Sequence, residues 1–162
     1  MFDSEEARKG TTEELRMPQL RRLIKSGALY ELGFRARKSL PFPCTKYMQL
    51  IFESALARVQ RDSKVVIHGY LVEGGHVHLM LSARDADQCR KFYGELQKAL
   101  TDAVKRLLGR KYLNIWEGRV YLAEIPTLED AINKFAYIFG NPAKDDQESS
   151  VDRYPGISSW AG

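Results

Sequence analysis

Leu71-Val72-Glu73-Gly74-Gly75-His76-Val77-His78-Leu79-Met80-Leu81 places two apolar runs on either side of a glycine pair. Glu73-Gly74-Gly75 reads as a tight turn, and the flanking runs, Lys64 to Val72 and His76 to Ala83, read as the two strands of a hairpin. Alternate residues of a strand point to the same face. The His76 and His78 imidazoles therefore project together, with Cβ atoms about 6–7 Å apart, while Val77, Leu79 and Leu81 point into a core. Two neutral imidazoles held this way can close on one metal ion. The chain has three histidines, and two of them fall in this triplet. A pair of solvated histidines on an exposed sheet face fits the same pattern.

Outward from the hairpin, the element order is legible. Ala28 to Arg37 alternates as a first strand, which Pro41-Phe42-Pro43 interrupts. Thr45 opens a helix with Met48, Ile51, Phe52, Ala55, Leu56 and Val59 on one face. After the hairpin, Asp85-Ala86-Asp87-Gln88 forms a capping box for a long helix that Gly109 ends. Arg119 to Ile125 reads as a fourth strand, Asp145 to Asp152 as a polar loop, and the last ten residues as a segment packing back. The result is an α+β chain with a β-α-β-β-α-β order and an added C-terminal helix. That order suggests a ferredoxin-like antiparallel sheet whose free face carries the histidines. Residues 1–26 are polar and read as an arm with weak helical patterning from Glu13 to Ile24; 27–162 read as one domain.

The added helix begins at Thr127, and Gly140 and Pro142 are expected to stop it. Its expected apolar stripe is Leu128, Ala131, Ile132, Phe135 and Phe139. Tyr137 falls on the opposite side with Asp130, Asn133, Lys134 and Asn141. Tyr137 and Asn141 are four apart, hence neighbours on the helix surface. An amphipathic surface tyrosine is the plain alternative.

Four blocks in order now carry a resemblance: His76-Val77-His78-Leu79, Trp116-Glu117-Gly118-Arg119, Ala136-Tyr137-Ile138-Phe139-Gly140-Asn141-Pro142, and Tyr154-Pro155-Gly156-Ile157-Ser158-Ser159-Trp160. Together they resemble the single-tyrosine HUH transposases, and more narrowly the REP-associated tyrosine transposases, over about residues 28 to 160. The resemblance implies a metal-dependent nuclease that cuts and rejoins single-stranded or hairpin DNA through a 5′-phosphotyrosine. It implies Tyr137 as nucleophile and His76, His78 and Asn141 as metal ligands. Asn141 also suits a helix C-cap, and both roles can hold at once. The implied ion is Mg²⁺ or Mn²⁺; imidazole donors favour Mn²⁺ over Mg²⁺. The chain departs from the family by carrying Glu73-Gly74-Gly75 where Met-x-Asn is usual before the first histidine. A replication initiator or relaxase of related chemistry, and a nucleic-acid-binding module without cleavage, are the alternative readings.

Bulk properties are compatible with this. Of 162 residues, 25 are Lys or Arg and 21 Asp or Glu, giving +4, a mild basicity that suits a nucleic acid without requiring one. Two cysteines suggest no disulfide framework and a reducing cytoplasm. No stretch reads as a signal peptide or a membrane span. Monomer and homodimer both remain open. Candidate DNA contacts are Arg35 and Arg37 on one strand face, and Lys105, Arg110, Lys111, Trp116 and Arg119 around the end of the long helix. Basic side chains beside rings suit single strands, with charge on phosphates and rings under bases. A solvated helix end and a core tryptophan are the plain readings of the same residues.

Overall fold

Thr45, Asp85 and Thr127 start helices for one reason: each side-chain oxygen accepts a backbone N–H that a first turn leaves unbonded. The donors are Met48, Gln88 and Asp130, at 3.2, 2.8 and 3.0 Å. The computed structural model describes residues 24–38, 42–145 and 148–160. Its helices are α1 (Lys46–Ser63), α2 (Ala86–Leu107) and α3 (Leu128–Lys144). Its strands are β1 (Leu29–Ala36), β2 (Val66–Glu73), β3 (His76–Ser82), β4 (Trp116–Ile125) and β5 (Ile157–Ser158). Nearly all of the expected N-terminal arm, residues 1–23, lies outside the described residues, as does Pro41.

The strands form one antiparallel sheet in the order β4-β1-β3-β2-β5. Gly74, at φ 57°, lets Gly74-Gly75 join β2 to β3 as a hairpin. β2 starts two residues later than the sequence pattern suggests, because Lys64 is the left-handed cap of α1. β4 starts three residues earlier than expected. A bulge between Gly33 and Arg35 lets pairing resume at Glu117 and Trp116.

The sheet has two unlike faces. Leu32, Phe34, Val77, Leu79 and Leu81 point to α1 and α2 and meet Phe52, Leu56, Phe92, Leu96 and Leu100 in the main core. On the other face Leu71, Met80 and Ile125 meet Ala131, Ile138 and Tyr154 in a smaller core. α3 thus lies across the histidine face. The tail closes over the edge of β2: the Tyr154 hydroxyl donates to the Val72 carbonyl at 2.8 Å, and β5 pairs with Leu71 and Val72. The expected loop 145–152 ends in a short 3-10 turn, Val151–Arg153.

Two expectations about α3 need correction. Gly140 and Pro142 do not stop it; it runs to Lys144. Proline's fixed φ is helical, and it removes one donor rather than the whole ladder. Asp145 N–H still reaches the Asn141 carbonyl at 2.9 Å. The apolar stripe is also rotated. Ala131, Ile138, Asn141 and Pro142 are buried, whereas Leu128 and Ile132 are 78% and 60% exposed. Lys134 and Asn141, expected on the polar side, turn toward the sheet instead. Among the described residues, no helix is long and apolar enough to cross a membrane.

The rotated stripe separates two leucines that the sequence treats alike. Leu79→Ala should cost about 2–5 kcal/mol in denaturant unfolding. Leu128→Ala should stay within about 0.5 kcal/mol.

Candidate active site

β3 has neighbours on both sides, so the register fixes what stands beside each histidine. His76 is opposite Glu73 on β2 and Arg35 on β1; His78 is opposite Leu71 and Gly33. The two imidazoles share a face, their centroids 6.3 Å apart and their planes 18° from parallel. His68 is elsewhere, bonded to Ser82 at the other end of β3.

Glu31 on β1 reaches this face from a side chain that is 5% exposed. Its Oε1 lies 3.4 Å from His78 Nδ1 and its Oε2 2.9 Å from Lys134 Nζ. Apart from that ammonium, Oε2 has no polar partner. Burial pushes the Glu31 carboxyl up, but the bonds from His78 and Lys134 outweigh it, and the group ends below its ordinary value. The same bond to Glu31 raises Lys134.

α3 crosses the face with charged groups near both of its ends. At one end is the Lys134–Glu31 pair; at the other the charge of Asp145 acts on Glu73 and His76. Tyr137 and Asn141 lie on the intervening turns. Tyr137 is half exposed, with Lys134 Nζ 5.5 Å and Lys144 Nζ 5.2 Å from its ring centre. Asn141 is buried on the sheet side of the same helix.

Burial and the charge of Arg35 push the His76 imidazole below its ordinary value, which favours the neutral ring that ligates metals. Burial, with Asp145 adding to it, pushes the Glu73 carboxyl up, and its buried Oε1 has no hydrogen-bond partner. Among the described residues, no three His, Cys, Asp or Glu side chains converge to hold a metal ion by themselves. The two imidazoles and the Glu73 carboxylate share this face, and Asn141 is buried on the helix that covers it. This mixed N and O set suits a divalent ion whose coordination is completed by water or phosphate.

The structure resembles that of a REP-associated tyrosine transposase bound to a REP hairpin, with a TM-score of 0.73 and 25% identity over 90% of this chain and 84% of that one. The likeness supports the REP-associated tyrosine transposase family for this chain. A second similar structure is a putative transposase from Deinococcus radiodurans, with a TM-score of 0.49 and 14% identity over 74% of this chain and 90% of that one. No family model and no curated protein matches the sequence.

The remaining candidates of this transposase-like fold divide into two groups. Arg35 is exposed beside His76, and Arg37 and Arg119 are exposed at the same end of the sheet. Lys105, Arg110 and Lys111 lie at the end of α2, which covers the opposite face; Lys105 is paired with Asp102 at 3.6 Å. Trp116 is half-buried against the main core, packed on Phe34 and Phe42, with its ring N–H donated to Gln97 and Thr101. Tyr112 is the open ring here, 82% exposed with Lys111 over it.

Glu31 and Lys134 are the site residues the sequence reading missed. Glu31 shares strand parity with Arg35, but only the β1–β3 register shows which histidine it meets. Lys134 should report on the pair. Lys134→Met leaves a buried carboxylate short of its partner, at a cost of about 1–3 kcal/mol at neutral pH. Because the folded Glu31 pKa is depressed, its contribution is present above the ordinary 4.5 and is lost as pH falls through the folded value. Urea unfolding of wild type and variant should therefore differ at pH 7 and converge in acid.

Proposed function

We propose that the chain is a metal-dependent nuclease and strand-joining transposase acting on single-stranded or hairpin DNA. The observation carrying this reading is the position of Tyr137, half exposed between two lysines on a helix laid across the paired histidines. The hairpin bound by the similar transposase structure supports the choice of substrate. A surface tyrosine with no chemical role would need neither the lysines nor the histidine face.

In this reading His76, His78 and Asn141 hold a divalent ion, Mg²⁺ or Mn²⁺, with Glu73 beside them. A divalent ion bound there would supply Lewis-acid stabilisation of the charge on the phosphate. Lys134 and Lys144 flank the Tyr137 ring and put positive charge beside the phosphate it would attack. The Tyr137 oxygen attacks in line; a phosphorus–oxygen bond to tyrosine forms as the bond to the 3′ oxygen breaks. The phenolic proton is balanced by the proton gained by that 3′ oxygen. The products are a 5′-phosphotyrosine and a free 3′-hydroxyl, so the phosphoester linkage is kept for rejoining. Arg35, Arg37 and Arg119 offer phosphate contacts at the His76 end of the sheet. Arg110, Lys111 and Tyr112 form a second basic and aromatic patch, at the end of α2.

Incubation with labelled hairpin and single-stranded oligonucleotides and Mn²⁺ tests the reading. Wild type should form a covalent adduct on Tyr137, and Tyr137→Phe should lose it with unchanged thermal stability. An adduct on another tyrosine, or normal cleavage by the Phe variant, refutes the assignment; binding without any cleavage favours the binding-module alternative.

The ligand assignment has its own check. The His76→Ala, His78→Ala double variant should stay folded and lose Mn²⁺ binding in calorimetry without DNA. Retained Mn²⁺ affinity removes the histidines from the metal site.

A further inference from the structure

A carboxylate buried in a sheet is costly unless it is paired. Glu31 divides its two oxygens between two different elements, His78 on β3 and Lys134 on α3. An ionised carboxylate can only accept hydrogen bonds. A neutral imidazole facing it must therefore present Nδ1–H, which leaves the lone pair on Nε2. A carboxylate behind a histidine fixes ring tautomer and orientation in this way. Lys134, held by the other oxygen, stands three residues before Tyr137, one turn away on the helix. One side chain thus touches both halves of the site while contacting neither Tyr137 nor the position proposed for the substrate.

We infer that Glu31 is a positioning residue: its carboxylate sets His78 in the Nδ1–H tautomer with Nε2 free, and through Lys134 holds the Tyr137 helix on the histidine face. The effect on cleavage rests on the proposed function. The tautomer does not, since it is a property of the protein without metal or DNA. A plain ion pair that only stabilises the fold would link Glu31 to Lys134 and leave the His78 tautomer indifferent to Glu31.

Nitrogen-15 NMR of the full chain labelled at histidine reads this directly. The spectra are taken at pH 8 without metal, where ordinary imidazoles with pKa values of about 6.5 are neutral. His68→Gln and His76→Gln variants assign the signals. Wild-type His78 should show a protonated Nδ1 and a bare Nε2. Glu31→Ala should move the proton toward Nε2, the form favoured in water. Lys134→Met should leave the tautomer unchanged while slowing hairpin cleavage at least ten-fold. A wild-type His78 protonated on Nε2, or a folded Glu31→Ala variant that keeps Nδ1–H, overturns the inference. If Glu31→Ala does not fold, the wild-type spectrum decides alone. Should wild type cleave no DNA yet show the expected tautomer, the proposed function fails and the role of Glu31 in orienting His78 stands.

Discussion

The parity of the middle strand governs this molecule. β3 is third of five in the sheet order, bonded on both edges, so it cannot slide without breaking two ladders at once. Its odd residues, Val77, Leu79 and Leu81, are fully buried under α1 and α2. Its even residues then have no choice but to face α3. A slip of one residue would bury two imidazoles in the main core and turn three apolar side chains out. Each buried Leu or Val contributes about 1.5–3 kcal/mol of transfer free energy. The histidine face is thus held by the hydrophobic effect acting on the face it does not share.

The polar cluster on that face depends on this arrangement and returns something to it. Glu31, Glu73 and Asn141 are its buried polar residues. Burial raises the cost of each, and for Glu31 the partners that offset the cost also select one geometry. Lys134 cannot neutralise Glu31 unless α3 sits in one rotation, and that rotation exposes Leu128 and Ile132 and buries Asn141.

Much of this was legible in the chain. Thr45, Asp85 and Thr127 announce their helices because capping is a local event between residues three apart. The hairpin announces itself through Gly74-Gly75, and the shared face of His76 and His78 follows from strand parity. What could not be read depends on contacts far apart in sequence. The pairing of Glu31 with His78 and Lys134 needs the β1–β3 register and the docking of α3. The helical stripe is only partly right for the same reason: Ala131, Phe135 and Phe139 turn inward as expected, but Leu128 and Ile132 are left outside while Lys134 reaches Glu31 on the sheet. Trp116 fits a core or a DNA-stacking role in the sequence alone; its contacts with Phe34, Gln97 and Thr101, which hold it against the core, come from distant elements.

Pro142, which does not end α3, has another effect there. Lacking an N–H, it leaves the helical ladder one rung short at the Ile138 carbonyl. The turn from Asn141 to Lys144 is therefore joined to the Tyr137 turn by one backbone bond fewer than an unbroken helix would give. Local opening free energy follows such bonds. Amide hydrogens should consequently exchange faster beyond Pro142 than before it. The helix can loosen at its Asn141 end while the Lys134–Glu31 pair keeps Tyr137 in place.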